Sequence, residues 1–271
     1  MSLFEGSWIP IIFCVLFVAY KNLPFVWHVR FLRTLLARLV LKSGSSKPLS
    51  PECLFLPAIH RTRSPLTECD YNIHKSNSTY FTDLDISRGN LSLILFSQLL
   101  SFCPTSDTAV MILSGVQCVF RKEIKPYQPY EVWSRVMSWD EKWIYIVSHF
   151  VERGKFQPRE YYFQGVASEA TQRGGPSSKN QLCKGNVFAS AVSRYVFKQD
   201  RRTFPPEAML VKCGLLPARD GAEEATWRSI EDRRRRDLDA AQLNLGWDAV
   251  HEAFDGKIIK ALGLYTDFLW R

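Results

Sequence analysis

Between Ser78 and Ser101 the apolar residues Tyr80, Phe81, Leu84, Leu91, Ile94, Leu95 and Leu99 recur at helical spacing. From Leu91 to Phe102 the segment is apolar nearly all round. A helix without a polar face is stable only when it is covered on most sides, as it would be by a sheet wrapped around it. Asp83 and Asp85 lie toward its positively polarised start, and Cys103-Pro104 ends it.

The flanking sequence supplies strands for that sheet. Leu54 to Glu68 reads as a strand leading to Asp70. After the helix, Ala109 to Glu123 is rich in Val, Ile, Leu and Phe, and Tyr130 to Trp139 alternates as a half-buried strand should. Asp140-Glu141-Lys142 turns the chain into a returning strand, Trp143 to Val151, and Val187 to Phe197 is a further strand. Gly154 to Gly185, with Pro158, Gly174-Gly175-Pro176 and Ser177-Ser178, reads as an exposed excursion. Strand, long buried helix and then four antiparallel strands make an α+β plan with the helix against one sheet. A composition of 46% hydrophobic residues, with 18 Phe and 8 Trp, is enough to fill one core.

Trp8 to Tyr20 is an uninterrupted apolar run, and apolar character resumes at Leu23 to Trp27. The extended segment approaches the roughly 20 residues of a membrane span, so residues 1–41 are expected to form a single-pass N-terminal membrane anchor with a basic segment. Glu5, the lack of Lys or Arg before the run and the lack of a small-x-small site argue against a cleaved signal peptide. Lys21, Arg30, Arg33, Arg38 and Lys42 follow the run, which by the positive-inside tendency leaves the remaining chain on the cytosolic side. Arg30 to Leu41 also suits a helix on a membrane surface, or one packed on the domain. Residues 42–51, rich in Ser, Gly and Pro, form a linker; residues 52–212 form the principal domain and residues 213–271 a C-terminal helical extension. Two helices are expected in that extension, over Ala218 to Ala241 and Leu243 to Leu269.

A net charge of +8 is compatible with nucleic acid, an anionic membrane or an anionic ligand such as an acyl-CoA. The basic run Arg233 to Arg236 is flanked by Glu231, Asp232, Asp237 and Asp239, so it reads as a solvated helix face and no nucleic-acid partner is expected. Seven scattered cysteines without a C-x-x-C pair read as free thiols, with no zinc site. No P-loop or dinucleotide-binding glycine pattern appears, and neither cofactor nor metal is expected.

The chemistry-bearing stretch is Asp70 to Tyr80, immediately before the long helix. Asp70, Asn72 and His74 at i, i+2 and i+4 suit a turn that aims them into one pocket, and Asn77 or Ser78 offers an oxygen to cap the helix. An ordinary polar loop with a helix cap has the same composition. His60, His149 and His251 stand singly on unrelated elements and read as structural or solvent-facing, and Ser87 and Ser97 lack the glycines of a nucleophile elbow.

The spacing Asp70-x-Asn72-x-His74-x-x-Asn77-x-x-Tyr80 resembles the signature of hotdog-fold acyl thioesterases, with Ser76 where the first Asn of a pair usually stands. Asp85-x-x-Arg88 and Arg121-Lys122-Glu123 also match that pattern. The layout is similar to the membrane-anchored thioesterase-superfamily-like type and its fungal relatives beside polyketide and lipopeptide pathways. Glu123-Ile124 replaces the Glu-Cys pair of related acyl-carrier-protein enzymes, which excludes a catalytic thiol there.

The resemblance implies a long central helix wrapped by an antiparallel sheet, a homodimer, and hydrolysis of an acyl-CoA or an acyl group held by an acyl-carrier protein. It casts Asp70 as general base or nucleophile, Asn72 as orienting group and His74 as base or carbonyl donor. Backbone N–H groups at the helix start would form the oxyanion site. Asn77, Tyr80 and Glu123 would bind substrate or orient the loop. The alternatives are a non-catalytic acyl-binding or scaffold protein and, behind it, a dehydratase or hydratase on the same thioesters.

Overall fold

A computed structural model describes residues 8–36, 48–99, 108–166, 186–199, 201–217 and 224–267. Helix α3, Thr79–Leu95, forms within the predicted Ser78–Ser101 span but stops six residues short of its end, and Cys103-Pro104, expected to end it, lie outside the described residues. Strands β1 (Ala58–Arg63), β2 (Val110–Phe120), β3 (Pro129–Trp139), β4 (Ile144–Glu152) and β7 (Val187–Gln199) coincide with the predicted runs. They belong to a seven-stranded sheet in the order β10-β1-β3-β4-β7-β2, where β8 (Arg202–Phe204) pairs with β7 and β10 is Gly263–Thr266. All neighbours in it are antiparallel except β1 and β10. One long helix against an antiparallel sheet is the hotdog arrangement. Its shared core packs Leu91, Ile94, Leu95 and Phe96 on Val136, Ile144, Ile146 and Phe197, and Tyr80 and Leu84 on Tyr130, Val132 and Phe150.

Four expectations are corrected. The first concerns β3, which is buried along its whole length except Pro129, where its alternation predicts a half-buried strand. The polar positions are satisfied internally: Ser134 Oγ lies 2.8 Å from Ser87 Oγ and 2.7 Å from Ser148 Oγ. Its far face is covered by the C-terminal helix α5, Glu224–Ala241, where Ser138 Oγ donates to the Arg234 carbonyl at 2.7 Å.

The second is the C-terminal pattern. Beyond α4 (Pro206–Lys212) and α5, the predicted final helix is only Gly246–Glu252 (α6); the chain then forms β9 (Lys260–Ala261) and β10. Strand β10 adds to the principal sheet in parallel with β1, Ala58 opposite Gly263 and Arg61 opposite Thr266.

The third is the excursion after β4. It begins as a buried layer, with Phe156 and Tyr161 packed on Trp133, and a three-stranded sheet of β6 (Gly165–Val166), β5 (Glu160–Tyr161) and β9. Residues 167–185 of that excursion lie outside the described residues.

The fourth is the membrane anchor. Helix α1, Trp8–Val18, has 11 residues, about 16 Å at 1.5 Å per residue against a bilayer core of about 30 Å. A 3-10 turn, Tyr20–Asn22, follows, and α2 (Val26–Leu35) starts after Phe25 in the left-handed region at φ 66°. Among the described residues no helix is long and apolar enough to cross a membrane. Lys21 and Arg30, expected as the basic flank of a span, are instead buried in ion pairs against α3 and the residue after β10.

Candidate active site

The motif turn is closed by the backbone. Asp70 N donates to the His74 carbonyl at 2.9 Å, Ile73 N to the Asp70 carbonyl at 3.0 Å, and Ser76 N to the Glu68 carbonyl at 2.8 Å. Cys69 and Lys75 form a bridge between the two arms, and Lys75 N donates to the Ile124 carbonyl at 2.8 Å. Ile73 at the tip takes φ 59°, a left-handed conformation unusual for a β-branched residue. The turn is therefore fixed at its base and carries its residue types outward.

Two of the predicted catalytic side chains meet. Asp70 Oδ1 lies 3.5 Å from His74 Nδ1, with the side chains 26% and 28% exposed, open enough for a substrate to reach. Asn72 joins them through its backbone: its N–H donates to Asp70 Oδ1 at 2.9 Å, orienting the carboxylate, while the residue itself is exposed. Asn77 and Glu123 are exposed and make no hydrogen bond or ion pair with this group. Tyr80 is buried beneath the turn, its ring edge-on to Phe120 and Phe150 at 4.9 and 4.8 Å.

The predicted cap of α3 is absent, because Ser78 makes no side-chain cap hydrogen bond. Ser76 takes part of that role: its carbonyl accepts Thr79 Oγ1 at 2.7 Å and Thr79 N at 2.9 Å. The positive end of this 17-residue helix begins five residues after His74, and the Ser78 side chain does not cap it.

Thiol chemistry finds no support at the turn. Burial raises the Cys69 pKa, and the Cys69 thiol donates to the Pro65 carbonyl at 3.6 Å. Burial pushes the Cys118 thiol up to about 12. Ser87 bonds to Ser134 inside the core and has no histidine partner.

Beneath the turn lies a cluster of charges that the sequence reading missed. Lys75 Nζ is 2.7 Å from Glu68 Oε2 and 3.0 Å from Asp83 Oδ2. Lys21 Nζ is 3.3 Å from Asp83 Oδ1 and 3.6 Å from Glu68 Oε1. Arg30 reaches Asp83 Oδ1 at 3.0 Å and grips Asp267 with Nε and Nη2, each at 2.8 Å. Tyr130 Oη donates to Asp83 and Thr62 Oγ1 to Asp267. Burial alone would raise the Asp83 pKa; Lys21, Lys75 and Arg30, with the Tyr130 hydroxyl, reverse this and hold it well below the usual carboxylate range. Asp267 is likewise held low against its burial, by His60, Arg30 and Lys21. One local sign was available: Asp83 falls on the same helical stripe as Tyr80, Leu84, Ser87 and Leu91, where an unpaired charge would not be tolerated.

The remaining histidines are not single. His149 Nδ1 lies 2.9 Å from Ser190 Oγ, which also lies 3.1 Å from His251 Nδ1. Burial, with Arg135 and His251 nearby, depresses the His149 pKa well below the ordinary imidazole value. The arginine run on α5 is only partly solvated: Arg234 and Arg235 pair with Glu231, Arg236 pairs with Asp237, and Arg233 lies over the Phe55 ring at 4.3 Å.

The thioesterase-like superfamily profile matches residues 64–211, which include the motif turn, α3 and the strands from β2 to β8. Over 280 aligned residues the chain is 36% identical to the probable thioesterase atnL of Emericella nidulans, covering 92% of this chain and 88% of the relative. It is 35% identical over 270 residues to the thioesterase poxG of Penicillium oxalicum, covering 92% and 87%. A probable thioesterase of Saccharomyces cerevisiae is 34% identical over 207 residues, 73% of this chain and 76% of that one. With its profile match spanning more than half its length and close agreement along nearly the whole chain, this protein belongs to the thioesterase-like superfamily.

Proposed function

We propose that the protein is an acyl thioesterase that hydrolyses acyl-CoA or carrier-bound acyl thioesters at the Asp70–His74 turn. The observation that carries this reading is the pairing of an accessible carboxylate and imidazole, 3.5 Å apart, on the turn that leads into α3. Asp70 takes a proton from water as the oxygen attacks the acyl carbon. The developing oxyanion is stabilised by the amides and dipole at the start of α3. The tetrahedral intermediate then collapses with cleavage of the C–S bond. His74 supplies the proton for the departing thiolate, and the proton held by Asp70 restores the pair. The products are a carboxylic acid and a free thiol. The net charge of +8 favours an anionic substrate such as a CoA ester or an acidic carrier protein.

Hydrolysis of an acyl-CoA series in 18O-labelled water tests the reaction class. Free thiol and singly labelled acid are expected. An enoyl product without thiol release, or binding without either product, would support the dehydratase or the acyl-binding alternative instead.

The protein also acts as a homodimer joined through β2. That strand is the sheet's edge, hydrogen-bonded on one side to β7. Val110, Ile112 and Leu113 on it are 58%, 47% and 39% exposed. An apolar edge with free backbone donors and acceptors is a pairing surface for a second copy.

A further inference from the structure

Lys21, Arg30 and Asp267 all lie outside the profile match, yet they complete the support on which the motif turn stands. Within residues 64–211 the buried cluster holds one cation, Lys75, and two carboxylates, Glu68 and Asp83. An excess buried charge of that kind is unstable without a partner. The flanks bring Lys21, Arg30 and Asp267, which matches three carboxylates with three Lys and Arg side chains, and His60 Nε2 adds a contact to Asp267 at 3.7 Å. Lys21 reaches the entering arm of the turn at Glu68 and shares Glu68 and Asp83 with Lys75 on the leaving arm, one residue after His74, while Asp267 joins through Lys21 and Arg30.

We propose that Lys21, Arg30 and Asp267 are positioning residues for the thioesterase turn, acting through Glu68, Lys75 and Asp83 to hold Asp70 against His74. The inference rests on the hydrolytic reading of that turn. Lys21 links three carboxylates, with Asp267 Oδ2 at 3.8 Å in addition to Glu68 and Asp83. Asn22 strengthens the same junction, its Nδ2 donating to the Thr67 carbonyl at 2.7 Å. The side chains of the cluster are buried, so their effect on the partly exposed Asp70–His74 pair is through geometry. A displacement of about 1 Å in a reacting pair costs roughly a hundredfold in rate.

The test uses the full chain carrying Lys21→Met, Lys21→Arg or Asp267→Asn, with two readouts. Amide hydrogen exchange at Asp70, Ile73, Lys75 and Ser76 is expected to accelerate in Lys21→Met and Asp267→Asn by at least tenfold more than exchange on β3 and β4, which follows the global loss of stability. Lys21→Arg, which keeps the charge, is expected to restore protection. Acyl-CoA hydrolysis is expected to lose at least tenfold in kcat with KM within twofold, and Lys21→Met added to Asp70→Ala is expected to cause no further loss. Unchanged exchange at the turn in folded Lys21→Met, acceleration spread evenly over the sheet, or additive losses with Asp70→Ala would overturn the proposal. If Asp267→Asn does not fold, Lys21→Met and Lys21→Arg decide alone. Exchange is read without turnover, so an inactive parent with a loosened turn would count against the hydrolytic reading and not against the positioning role.

Discussion

Lys75 Nζ lies 3.0 Å from Asp83 Oδ2 with both side chains sealed from solvent, while His74, the residue before Lys75, keeps 28% of its side chain exposed beside Asp70. Successive residues of an extended arm point to opposite sides. The leaving arm of the turn therefore places a catalytic candidate outside and an anchoring cation inside within a single step of the chain. The catalytic pair and the buried cluster are two faces of one short segment.

Removing one partner of such a cluster leaves an uncompensated buried charge, which costs about 3–5 kcal/mol. Asp83→Asn and Asp267→Asn are expected to lower unfolding free energy by that order, measured as the urea midpoint at neutral pH. Both carboxylates have depressed folded-state pKa values. Their contribution is complete above the ordinary carboxylate value of about 4 and is lost as pH falls below it. The parent is accordingly expected to lose stability below about pH 4 more steeply than Asp267→Asn, and equal slopes would contradict this assignment.

His149 has the opposite charge type but the same sign of linkage. It is buried with its pKa depressed, so the unfolded state binds a proton that the folded state refuses. Folding is penalised progressively as pH falls below about 6.5, by up to roughly 1.4 kcal/mol per pH unit. His149→Phe is expected to flatten the stability profile between about pH 5 and 6.5, followed by urea unfolding at a series of pH values. A variant with the parent's slope would show that another group titrates there.

The proposed dimer makes its own demand on β2. Ile112→Lys places a charge on the exposed edge and is expected to convert a species of twice the 31.3 kDa chain mass into one of the chain mass. Light scattering on a sizing column reads this directly. A monomeric parent, or a charged variant that still pairs, removes β2 from the interface.

What the sequence disclosed follows from how local each signal is. Helix α3 was legible because its apolar residues recur at helical spacing, and Asp70, Asn72 and His74 because they fall within one turn. The double-sided burial of β3 was hidden, since α5, which covers it, lies about a hundred residues later. Strand β10 was concealed because Gly263–Thr266 is too short to interrupt an amphipathic pattern, and its pairing with β1 is remote. Lys21 and Arg30 stand beside an apolar run and so read as the flank of a membrane span. Their true partners, Asp83 and Asp267, lie 62 and 237 residues away, a separation no spacing rule reports. The side-chain cap expected from Asn77 or Ser78 was misread for a different reason: the Ser76 carbonyl accepts the Thr79 N–H and hydroxyl in its place.

Free-thiol release from an acyl-CoA series, compared among parent, Asp70→Ala and His74→Ala, tests most directly whether Asp70 and His74 hydrolyse an acyl thioester. Both side chains are partly exposed, so the variants are expected to fold as the parent does, with kcat lowered about a hundredfold or more. Folded variants that release thiol at the parent's rate would contradict the account.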